Sequence, residues 1–134
     1  MKKIVLISCV SQKRTHQSKA KDLYISALFK KNLAYARRLK PDAIYILSAK
    51  YGLLDLDTEI EPYNLTLNTM SAGEIRNWAD RVLQQLSQVA NLHGDHFVFL
   101  AGMKYRKYLL PSLSSYEIPL EGLTIGKQLQ ALSR

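Results

Sequence analysis

Three clusters of hydroxyl, basic and aromatic residues each follow a short apolar run, and together they hold the side chains needed to grip a nucleobase and its phosphate. The first is Ser8-Cys9-Val10-Ser11-Gln12-Lys13. Backbone amides and cationic side chains at the end of a strand can face one phosphate or carboxylate, so this turn reads as an anion cradle, with Ser8, Cys9 and Lys13 on its ligand side. It lacks the glycine spacing of a phosphate-binding loop, and no Walker-type site follows. A lone cysteine beside a buried strand is more often a small packed residue than a nucleophile, which makes Cys9 a free thiol of the pocket wall.

The second cluster, Leu47-Ser48-Ala49-Lys50-Tyr51-Gly52-Leu53-Leu54, is the densest. Gly52 can supply a positive φ angle or a close backbone approach, aiming Ser48, Lys50 and Tyr51 into a crevice. Asp55, Asp57, Glu59, Glu61 and the turn Pro62-Tyr63-Asn64 come next. A carboxylate at such a crevice can act as a general base on water, a tyrosine can stack on a base, and an asparagine can read a base edge. Asp55 is therefore expected to orient water, Asn64 to read the edge, and Tyr51 and Tyr63 to stack. Each of these carboxylates taken singly fits a solvated acidic loop better than it fits catalysis; the constellation Lys50, Tyr51, Asp55, Tyr63, Asn64 is what argues for function.

The third cluster, Ala101-Gly102-Met103-Lys104-Tyr105-Arg106-Lys107-Tyr108, opens with a glycine and interleaves cations with tyrosines. Cations suit phosphate and aromatic rings suit bases. Gly102, Tyr105 and Arg106 are the expected contacts, with Tyr108 and Leu109 turned inward, and Lys13, Lys50 and Arg106 sharing the phosphate. His16, His93 and His96 have no paired spacing, so neither a metal site nor a cofactor is expected. A Ser-His-Asp triad has no elbow motif behind it.

These turns need a scaffold that gathers them. Ile4-Val5-Leu6-Ile7, Ile44-Tyr45-Ile46-Leu47 and Phe97-Val98-Phe99-Leu100 are continuous apolar runs of the kind found in strands buried on both faces. Helical patterns separate them, which predicts parallel strands whose carboxyl ends share one edge, where ligands bind in open α/β sheets. A helix is predicted from about Lys21 to Leu39, stopped by Pro41. The capping pair Ser71 and Glu74 opens another, with Ile75, Ala79, Val82, Leu86 and Val89 on its buried face. A short helix over Met103 to Leu110, a weak strand near Tyr116 to Ile118 and a last helix over Ile125 to Leu132 complete the chain. The stretch Leu53 to Asn68 reads as a long functional loop. The expected fold is a single three-layer α/β/α domain over residues 1–134, with a short, mainly parallel sheet of about four strands.

Composition narrows the partners. The 134 residues suit one domain. Nineteen Lys and Arg against eleven Asp and Glu give a net charge of +8, a balance that favours polyanions such as nucleic acid or nucleotides. No window approaches the apolar length of a membrane span, and the apolar run at the amino terminus is too short for a secretory signal. With one cysteine there is no disulfide framework, so a reducing cytoplasm is the expected setting.

Several spaced motifs also carry a resemblance. Ser8-Cys9 with Lys13, Leu23-Tyr24 with Ser26, Leu47 to Leu53, Pro62-Tyr63, and Pro119-Leu120 with Gly122-Leu123 and Gly126 resemble a family of small, largely uncharacterised bacterial and phage proteins. The Cys-x3-Lys and Tyr-x-Ser elements are similar to those of the archaeosine synthase core domain, and the layout more distantly resembles the uracil-DNA glycosylase-like fold. The resemblance implies a pocket for a modified or flipped nucleobase at the carboxyl edge of the sheet. The first turn has no Asp-Pro-Tyr element and the third no His-Pro-Ser element, so cleavage would need a carboxylate from residues 55–61 or another base. The expected function is N-glycosidic cleavage or base transfer on nucleic acid or a nucleotide. The alternatives are a non-catalytic nucleotide or nucleic-acid binding module and a hydrolase of a small phosphorylated metabolite.

Overall fold

A computed structural model of the protein describes residues 1–9 and 13–133; Ser11 and Gln12 of the first turn lie outside the described residues. The centre of the molecule is β1 (Lys3–Ser8), whose residues Ile4 to Ile7 are fully buried. Strand β3 (Ala43–Ser48) pairs parallel on one side of it and β6 (His96–Leu100) parallel on the other. The registers Ser8 opposite Leu47 and Ile7 opposite Leu100 bring the ends of all three strands to one edge. A short strand β7 (Ser115–Glu117) extends the sheet beyond β6.

On the other side, β4 (Gly52–Asp55) pairs antiparallel with β3, which makes a five-stranded sheet of order β4-β3-β1-β6-β7. The sheet is thus mostly parallel, as expected, with one antiparallel edge strand where a loop was expected. The hairpin was hidden because the chain turns back within Ala49, Lys50 and Tyr51, and Gly52 meets the turn at a φ of +76°. Farther on, β5 (Glu59–Ile60) forms a small antiparallel ribbon with β2 (Ser18–Lys19). This ribbon and the Lys21 to Asp57 ion pair absorb the acidic stretch into structure.

The helix predicted from Lys21 is two helices, α1 (Ala20–Leu23) and α2 (Ala27–Arg38). Tyr24 between them is extended and bridges to Lys13, and the Arg14 amide donates to the Leu23 carbonyl at 2.8 Å. Ser26 then restarts the helix by accepting from the Phe29 amide at 3.1 Å, the ordinary role of a serine at a helix start. Helix α3 (Ala72–Ser87) begins with the Ser71 and Glu74 capping box and buries Ile75, Trp78, Ala79, Val82 and Leu86. Val89, expected on that face, lies past its end and is exposed. Helices α4 (Met103–Arg106) and α5 (Ile125–Leu132) follow β6 and β7; α4 stops at Arg106, short of the expected Leu110, and a 3-10 turn over Leu110–Ser112 comes after it.

The chain leaves β1 for β3 on one side, then crosses back to β6 on the other. Parallel crossovers of this kind are right-handed, so the connections of opposite direction run over opposite faces and part company between β1 and β6. That parting is the place where an open sheet makes a crevice. No helix among the described residues is long and apolar enough to cross a membrane.

Candidate functional site

A cleft of about 510 Å³ opens at this crevice. Ser8 and Cys9 from the end of β1, Gly102, Tyr105 and Arg106 from the turn after β6, and Asn32 from α2 are part of its wall. Apolar residues of the 118–125 segment close another side. The volume lies in the range that takes a nucleotide-sized molecule. Lys104 and Arg106 are its cationic members, and no Asp or Glu is among its described lining residues. Arg106 is partly engaged already, donating from Nη1 to the Ala101 carbonyl at 2.8 Å, while Lys104 Nζ reaches the Asn68 carbonyl at 3.3 Å.

Next to the cleft, beneath the end of β3, lies a chain of buried hydroxyls. The Tyr24 and Tyr63 hydroxyls are 2.6 Å apart, and the Ser48 hydroxyl is 2.7 Å from that of Tyr63. Ser48 Oγ also accepts from the Tyr51 amide at 3.1 Å, which ties the array to the hairpin. Lys13 caps it, with Nζ 4.5 Å from the Tyr63 ring centroid and 5.7 Å from that of Tyr24. Tyr51 meets Tyr63 edge to face at 5.7 Å, and Lys50 stands over the Tyr51 ring at 5.3 Å.

Cys9 joins the two regions. Its thiol donates to the Tyr105 hydroxyl at 3.4 Å, and the same hydroxyl accepts from the Leu67 amide at 3.5 Å. Trp78 of α3 braces both, packing edge to face on Tyr105 at 5.6 Å and donating from Nε1 to the Ser48 carbonyl at 2.8 Å. Burial raises the pKa of Tyr24, Tyr63 and Tyr105, so these phenols hold their protons. Burial acts in the opposite sense on the Lys13 ammonium and lowers its pKa, against the raising effect of nearby Cys9.

Of the residues expected from sequence, Ser8, Cys9, Gly102, Tyr105 and Arg106 line the cleft together. Lys13, Ser48 and Tyr63 form the adjoining hydroxyl array, with Tyr51 on its flank. Gly52 acts through its backbone, and Lys50 is exposed outside the cleft wall. Asn64 is likewise exposed and not part of the lining. Asp55 is opposite Tyr45 on the outer strand, three residues back from the edge pair Ser48 and Gly52, where its charge raises the Tyr45 pKa after the larger effect of burial. The expected meeting of Asp55 with the nucleobase crevice is therefore absent: the antiparallel turn of β4 takes the chain back along β3 and away from the strand ends.

Three members of this region were not singled out for a role from the sequence. Asn32 is a polar residue among the buried positions Phe29, Leu33 and Ala36 of α2, and that interruption of an apolar stripe was its signal. Trp78 carried the same signal in reverse, a large aromatic on a helix face already long enough without it. Tyr24, legible only as part of a motif, needed the break between α1 and α2 to be seen.

Residues 4–134 match the model of a family described as a family of unknown function, DUF6884. The chain belongs to this family. No curated protein and no solved structure matches it. The match takes in every strand of the DUF6884 sheet but the first residue of β1, together with the cleft and the hydroxyl array.

Proposed function

We propose that the protein recognises a nucleobase or nucleotide in the cleft between the ends of β1 and β6. The observation that supports this reading is a nucleotide-sized cleft at the sheet's switch point whose described lining includes two cations and no carboxylate. Cations over an apolar wall suit a ligand with a flat body and a phosphate, and an acid-free lining keeps the anion from meeting like charge. The net charge of +8 supports the same class of partner and would hasten its approach.

For any chemistry that follows recognition the described lining offers thiol, phenol, hydroxyl, carboxamide, amine and guanidinium groups, and Asp55 pairs with Tyr45 outside it. N-glycosidic hydrolysis through Asp55 accordingly has no support in the geometry, and recognition is the primary reading. The test is calorimetric titration with the four nucleoside 5′-monophosphates and a short single-stranded oligonucleotide, followed by mass spectrometry of the recovered ligand. Saturable binding with unchanged ligand is the expected result, and a free base in the products would assign base excision or transfer. Failure of every nucleotide to bind, while a non-nucleotide phosphate ester binds or is hydrolysed, would overturn the proposal in favour of a metabolite hydrolase.

A further inference from the structure

We infer that Asn32 is the group that reads the edge of the base held in this cleft, an assignment that rests on the recognition proposed above. Asn32 is only 5% exposed and belongs to the cleft wall, yet its side-chain oxygen has no hydrogen-bond partner among the described residues. Buried polar atoms are nearly always paired, and one left unpaired costs the fold its full desolvation penalty. The same helix face offered Phe29, Leu33 and Ala36 as precedents for an apolar residue at this position. A carboxamide there destabilises the empty protein unless something else satisfies it.

The chemistry of the amide narrows what that something is. Asparagine offers an acceptor and a donor side by side in one plane. The unpartnered atom is the acceptor, so the ligand must present a donor, and a base edge supplies it as an N–H. Its terminal torsion is broad and roughly two-fold, and no partner holds the oxygen, so the plane can turn toward the cleft. Nucleobases carry an N–H donor beside an acceptor in one flat edge, and a bidentate asparagine is a recurrent reader of such edges. The cleft's cations would then hold the phosphate while Asn32 sorts the bases, a role expected from sequence for Asn64.

The decisive variant is Asn32→Leu, which keeps the shape and removes both polar atoms. Relief of a buried unpaired acceptor raises its Tm by about 2–6 °C in the ligand-free state. In the same protein, affinity for the preferred nucleoside 5′-monophosphate falls about 10-fold or more and the differences among the four bases collapse. Affinity for ribose 5-phosphate, which has no base, stays as it was. Asn32→Ala gives a second reading of the nucleotide loss should leucine overfill the cleft. Wild-type affinity and base ranking in both variants would overturn Asn32 as the reader while leaving nucleotide recognition standing. A lowered Tm in Asn32→Leu would instead make the amide part of the fold. Absence of nucleotide binding by the unaltered chain would remove both the recognition and this assignment.

Discussion

The hydroxyl of Tyr63 lies between those of Tyr24 and Ser48, at 2.6 Å and 2.7 Å, so one phenol links the segment before α2 to the end of β3. These residues are far apart in the chain and sit at no more than 8% exposure. Their bonds therefore fix three separate segments against one another beside the cleft. Neutral hydrogen bonds contribute about 1 kcal/mol each, but a buried group stripped of its partner costs more.

Tyr63→Phe removes that link and leaves the Tyr24 hydroxyl buried without its partner. The expected loss of stability is about 1–3 kcal/mol, measured as a lower urea midpoint with unchanged m-value. Tyr24→Phe in the same background should then cost less than it does alone, since the bond it would break is already gone. Strict additivity of the two substitutions would mean that the short contact between the phenols does not stabilise the fold.

The buried phenols of Tyr24, Tyr63 and Tyr105 should cost the fold stability at alkaline pH. Burial raises the pKa of Tyr24, Tyr63 and Tyr105 in the folded state above the ordinary value of 10.0. A raised pKa contributes stability that is fully present below the unfolded value and is lost as pH rises past it, because only the unfolded chain then releases the protons. Each phenol can remove about 1.4 kcal/mol per pH unit in that window. Lys13 works the other way, since its lowered pKa relieves a cost as pH rises, but it is one group against three. Stability measured from pH 9 to 11 should therefore fall, and Tyr24→Phe with Tyr63→Phe should flatten the fall; an unchanged slope in the double variant would remove these phenols as its cause.

What the sequence made legible follows the reach of each signal. Strands β1, β3 and β6 were readable because strands buried on both faces need continuous apolar runs, and Ile4 to Ile7 has no polar interruption. The α3 start was readable because Ser71 and Glu74 satisfy each other's backbone locally. Strand β4 was not, since Gly52 to Asp55 owes its conformation to pairing with Tyr45 to Ser48 and carries no period of its own. The site divided in the same way. Ser8, Cys9, Gly102 and Tyr105 follow strand ends and could be placed by topology, whereas Asp55 was placed by sequence proximity to Tyr51 and a hairpin undid that proximity. Asn32 enters from a helix, and the packing of α2 against β1 and α5 takes it to the cleft.

Gly52 is the hinge of that hairpin and should resist substitution. Its φ of +76° is costly for any residue with a Cβ, and a Cβ built there would run into the side-chain amide of Gln85. That amide is already committed, accepting from the Leu53 amide at 2.8 Å and donating to the Tyr51 carbonyl at 3.2 Å. Gly52→Ala should lose about 1–3 kcal/mol of stability by thermal or urea denaturation. Gln85→Ala in the same chain removes the collision but not the strained φ, so it should recover only part of the loss; full recovery would mean that the backbone angle itself is harmless.

The two cations of the cleft should separate phosphate from base recognition. Lys104 is exposed and Arg106 half-buried, each with one hydrogen bond to a backbone carbonyl and no carboxylate partner among the described residues. A phosphate entering the cleft meets no competing anion there, and replacing either cation removes attraction in proportion to ligand charge. Lys104→Gln and Arg106→Gln are expected to weaken a nucleoside 5′-monophosphate about 3- to 10-fold while leaving the corresponding nucleoside within about 2-fold. Because exposed charges are screened, the difference should shrink between 50 mM and 500 mM salt. Both substitutions lose a bond to a backbone carbonyl, Asn68 for Lys104 and Ala101 for Arg106, but Arg106 is the more buried of the two, so its cost should include a part that salt does not erase. Calorimetric titration of both ligands at both salt concentrations measures all of these quantities. Equal losses for nucleoside and nucleotide would place the phosphate somewhere other than beside Lys104 and Arg106.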